Sequence, residues 1–463
     1  MAENVQSALD TLRKVTTGTV YEGKLYLVGG LVRDRVMGHG DTSHDIDIVL
    51  EGDALELADF LYEAGATSIH PVVFPRFGTA MVLVDGSQVE LVTARVESYA
   101  SDSRKPDMVQ PGTILDDARR RDFTINTLLE SLHTGEVVDP LGLAFADLKS
   151  HLIRTPLDPN VTFIDDPLRM LRAVRFATRF SFEIEATTQS AILTNAHRLS
   201  IVSRERIRDE FCKMIVGPNP ALAVETLRTT GLLAQFAPEL LEMVDVTQNT
   251  YHHLPVWEHT LVVLSALPSD AGLTLHLAAL LHDTGKPRTR SVSPDDGRIH
   301  FYDHQSISAE ISRELLTRLK FPNSEIDAVV LLVAQHMRIG EYSDKWSTTA
   351  VRRLIRELGP HLEDLFVLHA ADVAGLNPDH QDTLHSNALR DKIESIGDLT
   401  AITQIKSPLS GQEIMQIFSL AEGPQVGAIK KALIDAVIDG KLQAGDREGA
   451  LALARQTQME HIN

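Results

Sequence analysis

A short apolar run that ends in two glycines is the feature that most restricts how this chain can fold. The run LYLV at residues 25–28 leads into Gly29 and Gly30, and the segment LVRDRVMG follows. We predict a strand, a tight turn and a helix that begins just after Gly30. Glycines let the backbone approach a ligand, and the free N–H groups of a helix start attract phosphate, with Arg33 adding a positive charge. The pattern indicates a phosphate-binding turn; the alternative is an ordinary strand-to-helix connection.

A pair of carboxylates follows in the next apolar stretch. Asp45 and Asp47 flank Ile46 in HDIDIVLEG. In an extended strand, residues i and i+2 point to the same face, so both side chains can reach one patch of solvent. Mg²⁺ is commonly held by one or two carboxylates together with water and substrate phosphates. The sequence therefore predicts a catalytic magnesium site at Asp45 and Asp47, although a solvated strand end has the same pattern.

Composition limits the class of protein. The chain has 463 residues, of which 43% are hydrophobic, so we expect more than one domain with well-formed cores. Its single cysteine, Cys212, excludes an internal disulfide. The N-terminal stretch MAENVQSALDTLRK lacks the apolar core of a secretory signal, and no apolar run is long enough to cross a bilayer. We expect a cytoplasmic protein that does not enter a membrane.

The formal net charge of −20 argues against broad, nonspecific affinity for nucleic acid. Any contact with RNA must therefore be local, and one basic region is visible in the sequence. A solvated helix face with scattered salt bridges is the alternative explanation for it. The arginines of this region are Arg169, Arg172, Arg175, Arg179, Arg198, Arg204, Arg206 and Arg208.

The kind of secondary structure changes along the chain. Residues 25–140 mix β-rich stretches such as DIDIVL, TAMVLV and VELVTAR with helical ones such as ALELADFLYEAG. After Asp139 and Pro140 the strands largely vanish, and helices alternate with proline and glycine. We predict an α+β fold: a small head built on a β-sheet, followed by a long, all-helical body.

Two further segments carry charged groups that suit a nucleotide. Arg120, Arg121, Asp122 and Asn126 lie in RRRDFTIN, at the start of a predicted amphipathic helix. Charged and amide groups there can hold a triphosphate and a ribose.

The second segment is DDPLRMLRAVRF, in which Asp166 and Arg169 have the i, i+3 spacing of one helical face. A carboxylate beside a guanidinium offers acceptors and donors that match the Watson–Crick edge of a base. The pair could equally be a helix-capping acid and its salt-bridge partner.

In order along the chain, these segments resemble the class II tRNA nucleotidyltransferases, the CCA-adding enzymes and their bacterial poly(A) polymerase relatives. GGLVRD with Asp45 and Asp47 is similar to the metal motif of that family, RRDFTIN to its ribose motif, DPLGLAFADL to its head-to-neck motif and DDPLR to its nucleotide-reading motif. The resemblance implies that Asp45 and Asp47 bind magnesium and that Arg121 and Asp122 contact the nucleotide. It also implies that Asp166 and Arg169 select C or A; nucleotide-binding candidates beside them are Gly29, Gly30, Arg33, Arg120, Asn126, Arg172 and Arg175.

The activity implied by this resemblance is addition of C and A residues to the 3′ end of tRNA from CTP and ATP, without a nucleic-acid template, by two-metal nucleotidyl transfer. The segment SYASDSRKPDMVQPGTIL resembles the flexible loop that the family needs to switch from C to A. Alternatives are an enzyme that adds only A beside a CC-adding partner, a poly(A) polymerase, or a phosphohydrolase whose head only binds RNA.

A second metal site is predicted downstream. His259, the pair His282-Asp283 and Asp372 lie on apolar helical stretches, a spacing that resembles the HD phosphohydrolase superfamily. His304 and His336 could complete a second metal position. His and Asp ligands suit several metals, so a divalent transition metal or Mg²⁺ is expected. Lys286 could contact a phosphate or cap a helix C-terminus.

The expected domains are a nucleotidyltransferase head at residues 1–145, a helical, nucleotide-reading and RNA-binding neck at 146–240, an HD phosphohydrolase-like domain at 241–385 and a helical tail at 386–463. The expected partners are tRNA, with CTP and ATP as substrates. The sequence predicts no oligomeric state.

Overall fold

The computed structural model describes residues 2–39, 46–99, 106–397, 399–443 and 445–460. Contacts between residues divide the chain into two compact units, Met1–Leu241 and Glu242–Asn463. The first unit contains a large β-sheet and helices, whereas the described part of the second is helical except for one hairpin. The predicted α+β fold, a strand-containing head followed by a long helical body, is confirmed. Among the described residues, no helix has both the length and the apolar character needed to cross a membrane.

The first unit contains strands and helices in alternation up to about residue 153 and mainly helices after it. Its strands are β1 (Leu25–Val28), β2 (Ile46–Leu50), β3 (Val72–Phe74), β4 (Thr79–Val84), β5 (Ser87–Thr93), β6 (Arg95–Tyr99), β7 (Pro106–Pro111), β8 (Leu129–Ser131), β9 (Val137–Val138), β10 (Leu152–Ile153) and β11 (Glu183–Ile184). Its helices are α1 (Ala2–Thr16), α2 (Gly30–Val36), α3 (Ala54–Glu63), α4 (Ile114–Arg119), α5 (Ala144–Lys149), α6 (Pro159–Asp165), α7 (Leu168–Phe180), α8 (Ala186–Asn195), α9 (Arg204–Ile215) and α10 (Pro220–Thr229).

The second unit is built mainly from helices. They are α11 (Val256–Ser265), α12 (Leu273–Leu281), α13 (Lys286–Thr289), α14 (His304–Arg318), α15 (Asn323–Gln335), α16 (Thr348–Leu358), α17 (Leu362–Ala374), α18 (Leu384–Ile396), α19 (Leu399–Thr403), α20 (Gly411–Phe418), α21 (Pro424–Ile438) and α22 (Arg447–Glu460). The hairpin pairs β12 (Arg290–Val292) with β13 (Ile299–Phe301) in antiparallel fashion.

The head is organised by a seven-stranded sheet with the order β3-β4-β5-β2-β1-β8-β9. Only β2 and β5 pair in parallel within it. Alternation along β4 and β5 sends Ala80, Val82 and Leu91 to a buried face that packs against α3. Glu90 of β5 lies directly opposite Asp47 of β2, on the other face. Since β5 lies inside the sheet, Glu90 is a neighbour of the predicted metal ligand Asp47.

The turn after β1 forms as the glycine pair predicts. Gly29 has φ 75° and ψ −135°, a conformation that side chains with a Cβ rarely adopt, and α2 begins at Gly30. Gly29 precedes the first helical residue, so the free backbone N–H groups of the first turn of α2 point toward this glycine turn. The predicted strand, glycine turn and helix are therefore present.

The segment RRDFTINTLL does not begin a helix, so that expectation was wrong. Helix α4 ends at Arg119, residues Thr124–Asn126 form one 3-10 turn, and the chain then enters β8. Phe123, Ile125 and Leu128 are fully buried, because β8 pairs with β1 and draws these side chains into the core. β-Branched residues in the segment also disfavour a helix. The apolar pattern of this segment had been interpreted as an amphipathic helix, but pairing between strands determined its conformation.

The predicted helix that carries both Asp166 and Arg169 is also interrupted. Helix α6 ends at Asp165, and Asp166 is extended with φ −140° and ψ 100°. The physical reason is Pro167, because a residue before proline is disfavoured from helical geometry. Arg169 lies in the first turn of α7. Asp166 and Arg169 therefore do not share one helical face.

Candidate functional site

A cleft of about 330 Å³ opens in the first unit, where the glycine turn, β2, the RRDFTIN segment and α7 meet. It gathers most of the residues that the sequence proposed for nucleotide binding. Of the predicted site residues, the cleft is lined by Gly29, Gly30, Arg33, Asp47, Arg121, Asp122, Asn126, Arg172 and Arg175. Asp45, the other predicted catalytic carboxylate, lies outside the described residues.

Asp47 is brought to the cleft by β2 and faces the glycine turn. A Cβ atom placed on Gly29 would lie 3.6 Å from Asp47 Oδ2 and 3.9 Å from Arg121 Nη1. The missing side chain thus leaves a space that is bordered by a backbone turn, a carboxylate and a guanidinium. A half-buried carboxylate beside such a space is the donor type that Mg²⁺ prefers, so the residues present fit that ion.

Asp122 is the centre of a buried hydrogen-bond network on the cleft wall. Arg172 Nε donates to Asp122 Oδ2 at 2.8 Å, and Asn126 Nδ2 donates to Asp122 Oδ1 at 2.9 Å. Burial would raise the pKa of Asp122, but the Arg172 guanidinium and the Asn126 amide hold it well below its usual range. Asn126 also accepts from Arg33 Nη1 at 2.7 Å, which links the network to α2. These side chains are fixed before any ligand arrives.

The arginines of α7 form one cationic face rather than a scatter of surface charges. Arg172, Arg175 and Arg179 recur at helical spacing and line the cleft together with Phe176. The Arg175 guanidinium carbon lies 4.2 Å from the centre of the Phe176 ring, so the ring orders the cation. Burial lowers the pKa of Arg175, but an arginine remains charged at any physiological pH. The cleft therefore presents fixed positive charge.

Two buried carboxylates that the sequence analysis missed pair with arginines of this site. Asp117, 1% exposed, accepts from Arg120 Nε at 2.9 Å and from Arg121 Nη2 at 2.9 Å. Glu210 on α9 accepts from Arg175 Nε at 2.6 Å. The i, i+3 and i, i+4 spacing of Asp117 from Arg120 and Arg121 could have revealed the first carboxylate. No sequence signal reveals Glu210, which lies 35 residues from its partner.

Three predicted residues do not line this cleft. Asp166 accepts from the Leu168 N–H at 3.1 Å and pairs with Arg206 at 3.1 Å. It is thus a cap of α7, as the sequence alternative proposed, but its ionic partner is Arg206 and not Arg169. Arg169 Nη2 donates to the Arg120 carbonyl at 2.6 Å, so Arg169 contacts the backbone next to Arg121, and neither Arg169 nor Arg120 lines the cleft. Residues of the cleft that the site prediction omitted are Asp34, Phe176 and Arg179.

A second cluster lies within the second unit. His259 of α11, His282 at the end of α12 and Asp372 of α17 have donor atoms within 4.8 Å of one another. Asp283, His304 and His336 form an adjoining group with the same property. All six residues of the sequence prediction are thus brought together, although the intervening chain is more than 110 residues long.

The histidines of this cluster are oriented alike. Each of the four turns its Nδ1 to a backbone carbonyl oxygen, which can only accept, so Nδ1 carries a proton and Nε2 is the nitrogen that can coordinate a metal. The Nδ1-to-oxygen distances are 3.1 Å for His259 with Gly375, 2.8 Å for His282 with Ala279, 2.9 Å for His304 with Phe301 and 2.7 Å for His336 with Val333. Burial lowers the pKa of His336 to about 3, which keeps that ring neutral.

Closely spaced, buried polar atoms mark the centre of the cluster. His282 Nε2 and both carboxylate oxygens of Asp283 are buried without a hydrogen bond of good geometry, although Asp283 Oδ2 has ion-pair contacts with Lys286 Nζ at 2.7 Å and His282 Nε2 at 3.1 Å. His304 Nε2 and His336 Nε2 lie 3.2 Å apart. Such groups are costly to bury unless a cation coordinates them. The donor set therefore fits a divalent metal.

Lys286 and Gly375 complete the cluster. Lys286 Nζ lies 2.7 Å from Asp283 Oδ2 and donates to Gln248 Oε1 at 2.7 Å, at the start of α13. Lys286 thus does not cap a helix C-terminus. A Cβ on Gly375 would lie 2.6 Å from His259 Nδ1, so only glycine fits beside that histidine. The sequence analysis had not singled out Gly375.

Comparisons with known proteins agree with this arrangement. Residues 25–154 match the poly A polymerase head domain, residues 181–243 the probable RNA and SrmB-binding site of polymerase A, and residues 226–373 the HD domain. The chain is 38% identical over 339 residues to the A-adding tRNA nucleotidyltransferase of Deinococcus radiodurans, across 70% of this chain and 76% of that protein. It is 34% identical over 354 residues to the CC-adding tRNA nucleotidyltransferase of Thermus thermophilus, across 74% and 77%. The structure of the CCA-adding enzyme of Bacillus stearothermophilus in complex with CTP has a TM-score of 0.65 at 23% identity, covers all of both chains and shares the fold.

Proposed function

The chain belongs to the tRNA nucleotidyltransferase family with a poly A polymerase head and an HD domain, and we propose that it adds C and A residues to the 3′ end of tRNA from CTP and ATP without a nucleic-acid template. The observation that carries the proposal is the head cleft, where a carboxylate on a strand, a glycine turn and a face of fixed arginines converge. A triphosphate needs this combination of metal-binding oxygen and positive charge.

In the proposed chemistry, one part of the cleft holds the reacting phosphates and another part holds the ribose. Asp47, together with Asp45, would hold Mg²⁺, which supplies activation of the RNA 3′-hydroxyl and neutralises charge at the α-phosphate and the leaving pyrophosphate. Arg121 and the α2 N-terminus would hold the phosphates, and Asp122 with Asn126 would hold the ribose. The protein then acts by positioning and charge, which is the main contribution to phosphoryl-type transfers.

We assign nucleotide selection to Asp166 and Arg169, with Arg172 and Arg175 beside them. The support is positional, because Arg169 donates to the carbonyl of Arg120, the residue just before Arg121 of the cleft. Arg206 pairs with the carboxylate of Asp166 at 3.1 Å. A guanidinium and a carboxylate held in this way can discriminate bases by hydrogen bonding.

We further propose that the chain divides into the head at 1–145, the neck at 146–240, the HD domain at 241–385 and the tail at 386–463. The histidine and aspartate cluster of the second unit would hold a divalent transition metal or Mg²⁺ and act as a phosphohydrolase. Its closely spaced imidazoles and buried carboxylates support metal binding.

A second candidate function is addition of A alone. It is favoured by the relative from Deinococcus radiodurans, an A-adding enzyme whose match extends over 76% of its length. The two candidates differ in the shortest RNA that the enzyme can extend.

The test uses tRNA transcripts that end at the discriminator base, at C or at CC, incubated with Mg²⁺ and CTP, ATP or both. Stepwise growth of the shortest transcript to CCA supports the first candidate, and growth only of the CC-ending transcript supports the second. Asp47→Ala should abolish growth, and Asp59→Ala, an exposed acid on α3, is the matched control. No growth of any transcript would overturn the transferase proposal.

A further inference from the structure

The edge of the head sheet exposes a group of apolar and cationic side chains, here named the β3 rim: Val72, Phe74, Arg76 and Phe77. Val72 is 54% exposed, Phe74 43% and Phe77 40%. The Arg76 guanidinium carbon lies 5.9 Å from the centre of the Phe77 ring. Two exposed aromatic rings and a cation within four residues resemble the composition of surfaces that bind unpaired nucleotides.

The β3 rim is held in place by a hydrogen-bonded turn. Pro75 begins a 3-10 turn, and Gly78 ends it with φ 56°. The Gly78 N–H donates to the Pro75 carbonyl at 3.2 Å, and the Gly78 carbonyl accepts from the Thr93 N–H at 2.9 Å. A Cβ on Gly78 would lie 3.2 Å from Thr93 Cβ, so this close approach favours glycine. Arg95 Nη1 also donates to the Phe77 carbonyl, which fixes the turn from a second side.

The sheet register places Val72 and Phe74 of the β3 rim on the same face as the proposed metal ligand. Val72 pairs with Met81, Met81 with Glu90, and Glu90 with Asp47. Directly paired residues of neighbouring strands point to one face, so these four side chains form a row across the sheet. With about 4.8 Å between strands, Val72 lies roughly 14 Å from Asp47. That distance is within the reach of a short single-stranded RNA segment.

The nucleotide cleft lies on the opposite side of Asp47. Gly29 and Gly30 follow β1, Asn126 shortly precedes β8, and both strands are beyond β2 in the sheet order. The buried face of β4 and β5 is covered by α3. On the face of Asp47, the side chains of Met81 and Glu90 are partly or fully exposed. An RNA end that must meet the α-phosphate at Asp47 can therefore approach over β5, β4 and β3.

We propose that the single-stranded 3′ end of the RNA substrate lies across this face, with an unpaired base stacked on the rings of the β3 rim and a phosphate beside Arg76. The proposal rests on the proposed nucleotidyl transfer. Because the end of the RNA changes with every addition, the site that holds it must tolerate different bases. Aromatic stacking has this property, since every base has a π-face.

The test separates an aromatic from a merely apolar role of the β3 rim. The leucine variant, with Phe74→Leu and Phe77→Leu, keeps apolar bulk and removes the aromatic rings. The tyrosine variant, with Phe74→Tyr and Phe77→Tyr, keeps the rings. With a CC-ending tRNA transcript and ATP, we expect the leucine variant to raise the KM for RNA about ten-fold, with unchanged KM for ATP. The tyrosine variant should remain within about two-fold of wild type. Val20→Ala, at a 73% exposed residue away from this face, is the control.

A second measurement reports on RNA binding without catalysis. Fluorescence anisotropy of a labelled RNA pentamer ending in CC should show weaker binding to the leucine variant, and Arg76→Gln should reduce the salt slope of log Kd by about 0.7. If the wild-type protein extends the transcript and the leucine variant has an unchanged KM for RNA, the proposal is overturned. The proposed function is not affected by that result. If wild-type protein extends no transcript, the proposed function fails, and this inference fails with it.

Discussion

The head cleft and the histidine and aspartate cluster both suit a metal and a phosphate, but they achieve this in opposite ways. In the head, the charged groups that the structure describes are paired before any ligand binds, as in the contact between Asp122 and Arg172. In the second unit, His282 and Asp283 are buried close together, and their polar atoms make ion-pair contacts but no hydrogen bond of good geometry. We therefore expect the head to receive an anion with a weakly held divalent metal, and the cluster to hold a resident cation.

Because of this difference, we expect a substitution in the head cleft to reduce transfer activity and a substitution in the cluster to release a bound metal. Replacement of Asp47 by Asn removes one negative ligand from the proposed magnesium site and keeps the side-chain shape. We expect extension of tRNA to fall by at least about 10³-fold, because metal stabilisation of the transferring phosphate contributes several kcal/mol. Single-turnover incorporation of radiolabelled ATP measures the rate. A rate within ten-fold of wild type would show that Asp47 is not a metal ligand.

The opposite outcome is expected for Asp283. Asp283→Asn should remove most of the tightly bound divalent metal, because its oxygens lie 3.1 Å from His282 and 3.5 Å from His304 at the centre of the cluster. Elemental analysis of purified protein measures the metal content, and Asp295→Asn at an exposed loop position is the control. Full metal occupancy in Asp283→Asn would contradict the assignment of this cluster.

The paired network of the head should also be visible in the dependence of stability on pH. The pKa of Asp122 is depressed in the folded protein, so its pairing stabilises the fold above the unfolded pKa of about 3.8 and is lost as the pH falls toward the folded pKa. Removing one partner of such a buried pair costs about 3 kcal/mol. Urea unfolding of Asp122→Asn and wild type should differ by this amount at pH 7, and the difference should shrink progressively as the pH falls below about 3.8. A difference independent of pH would contradict the depressed pKa.

The smallest effect is expected for the glycine turn. Gly29→Ala and Gly38→Ala each force a left-handed φ of 75° on alanine, which costs about 1–2 kcal/mol of stability. Only Gly29 has Asp47 and Arg121 within 4 Å of its added Cβ, whereas Gly38 has no neighbour within that distance. We therefore expect Gly29→Ala alone to raise the KM for ATP, by roughly ten-fold. Equal KM values in the two variants would show that the space beside Gly29 does not hold the nucleotide.

Local sequence patterns were sufficient for much of the fold. The glycine pair predicted the turn into α2, β-rich apolar stretches predicted β4 and β5, and the punctuated apolar stretches predicted the helical second unit. These features depend on neighbours within a few residues, which is why a sequence reveals them. The cluster joins distant residues, and it was predicted because its His and Asp residues resemble those of the HD phosphohydrolase superfamily.

The features that were missed depend on distant parts of the chain. Phe123 and Ile125 looked helical, but pairing of β8 with β1 decided the conformation of their segment. Glu210 fixes Arg175 from another helix, and no spacing rule connects them. The break at Asp166 was visible in the sequence, because a residue before proline is disfavoured from helical geometry. It was missed because the i, i+3 spacing of Asp166 and Arg169 was given more weight than Pro167. The site residues were therefore predictable, and the groups that position them were not.

One measurement tests the central distinction between the two sites. Preparations of wild type, Asp47→Asn and Asp283→Asn are each assayed for extension of a CC-ending tRNA transcript in excess Mg²⁺ and for tightly bound metal. The account predicts that Asp47→Asn loses extension and keeps its metal, while Asp283→Asn loses its metal and extends the transcript at the wild-type rate. Loss of extension in Asp283→Asn with normal extension in Asp47→Asn would contradict the account and move the transfer chemistry away from the head cleft.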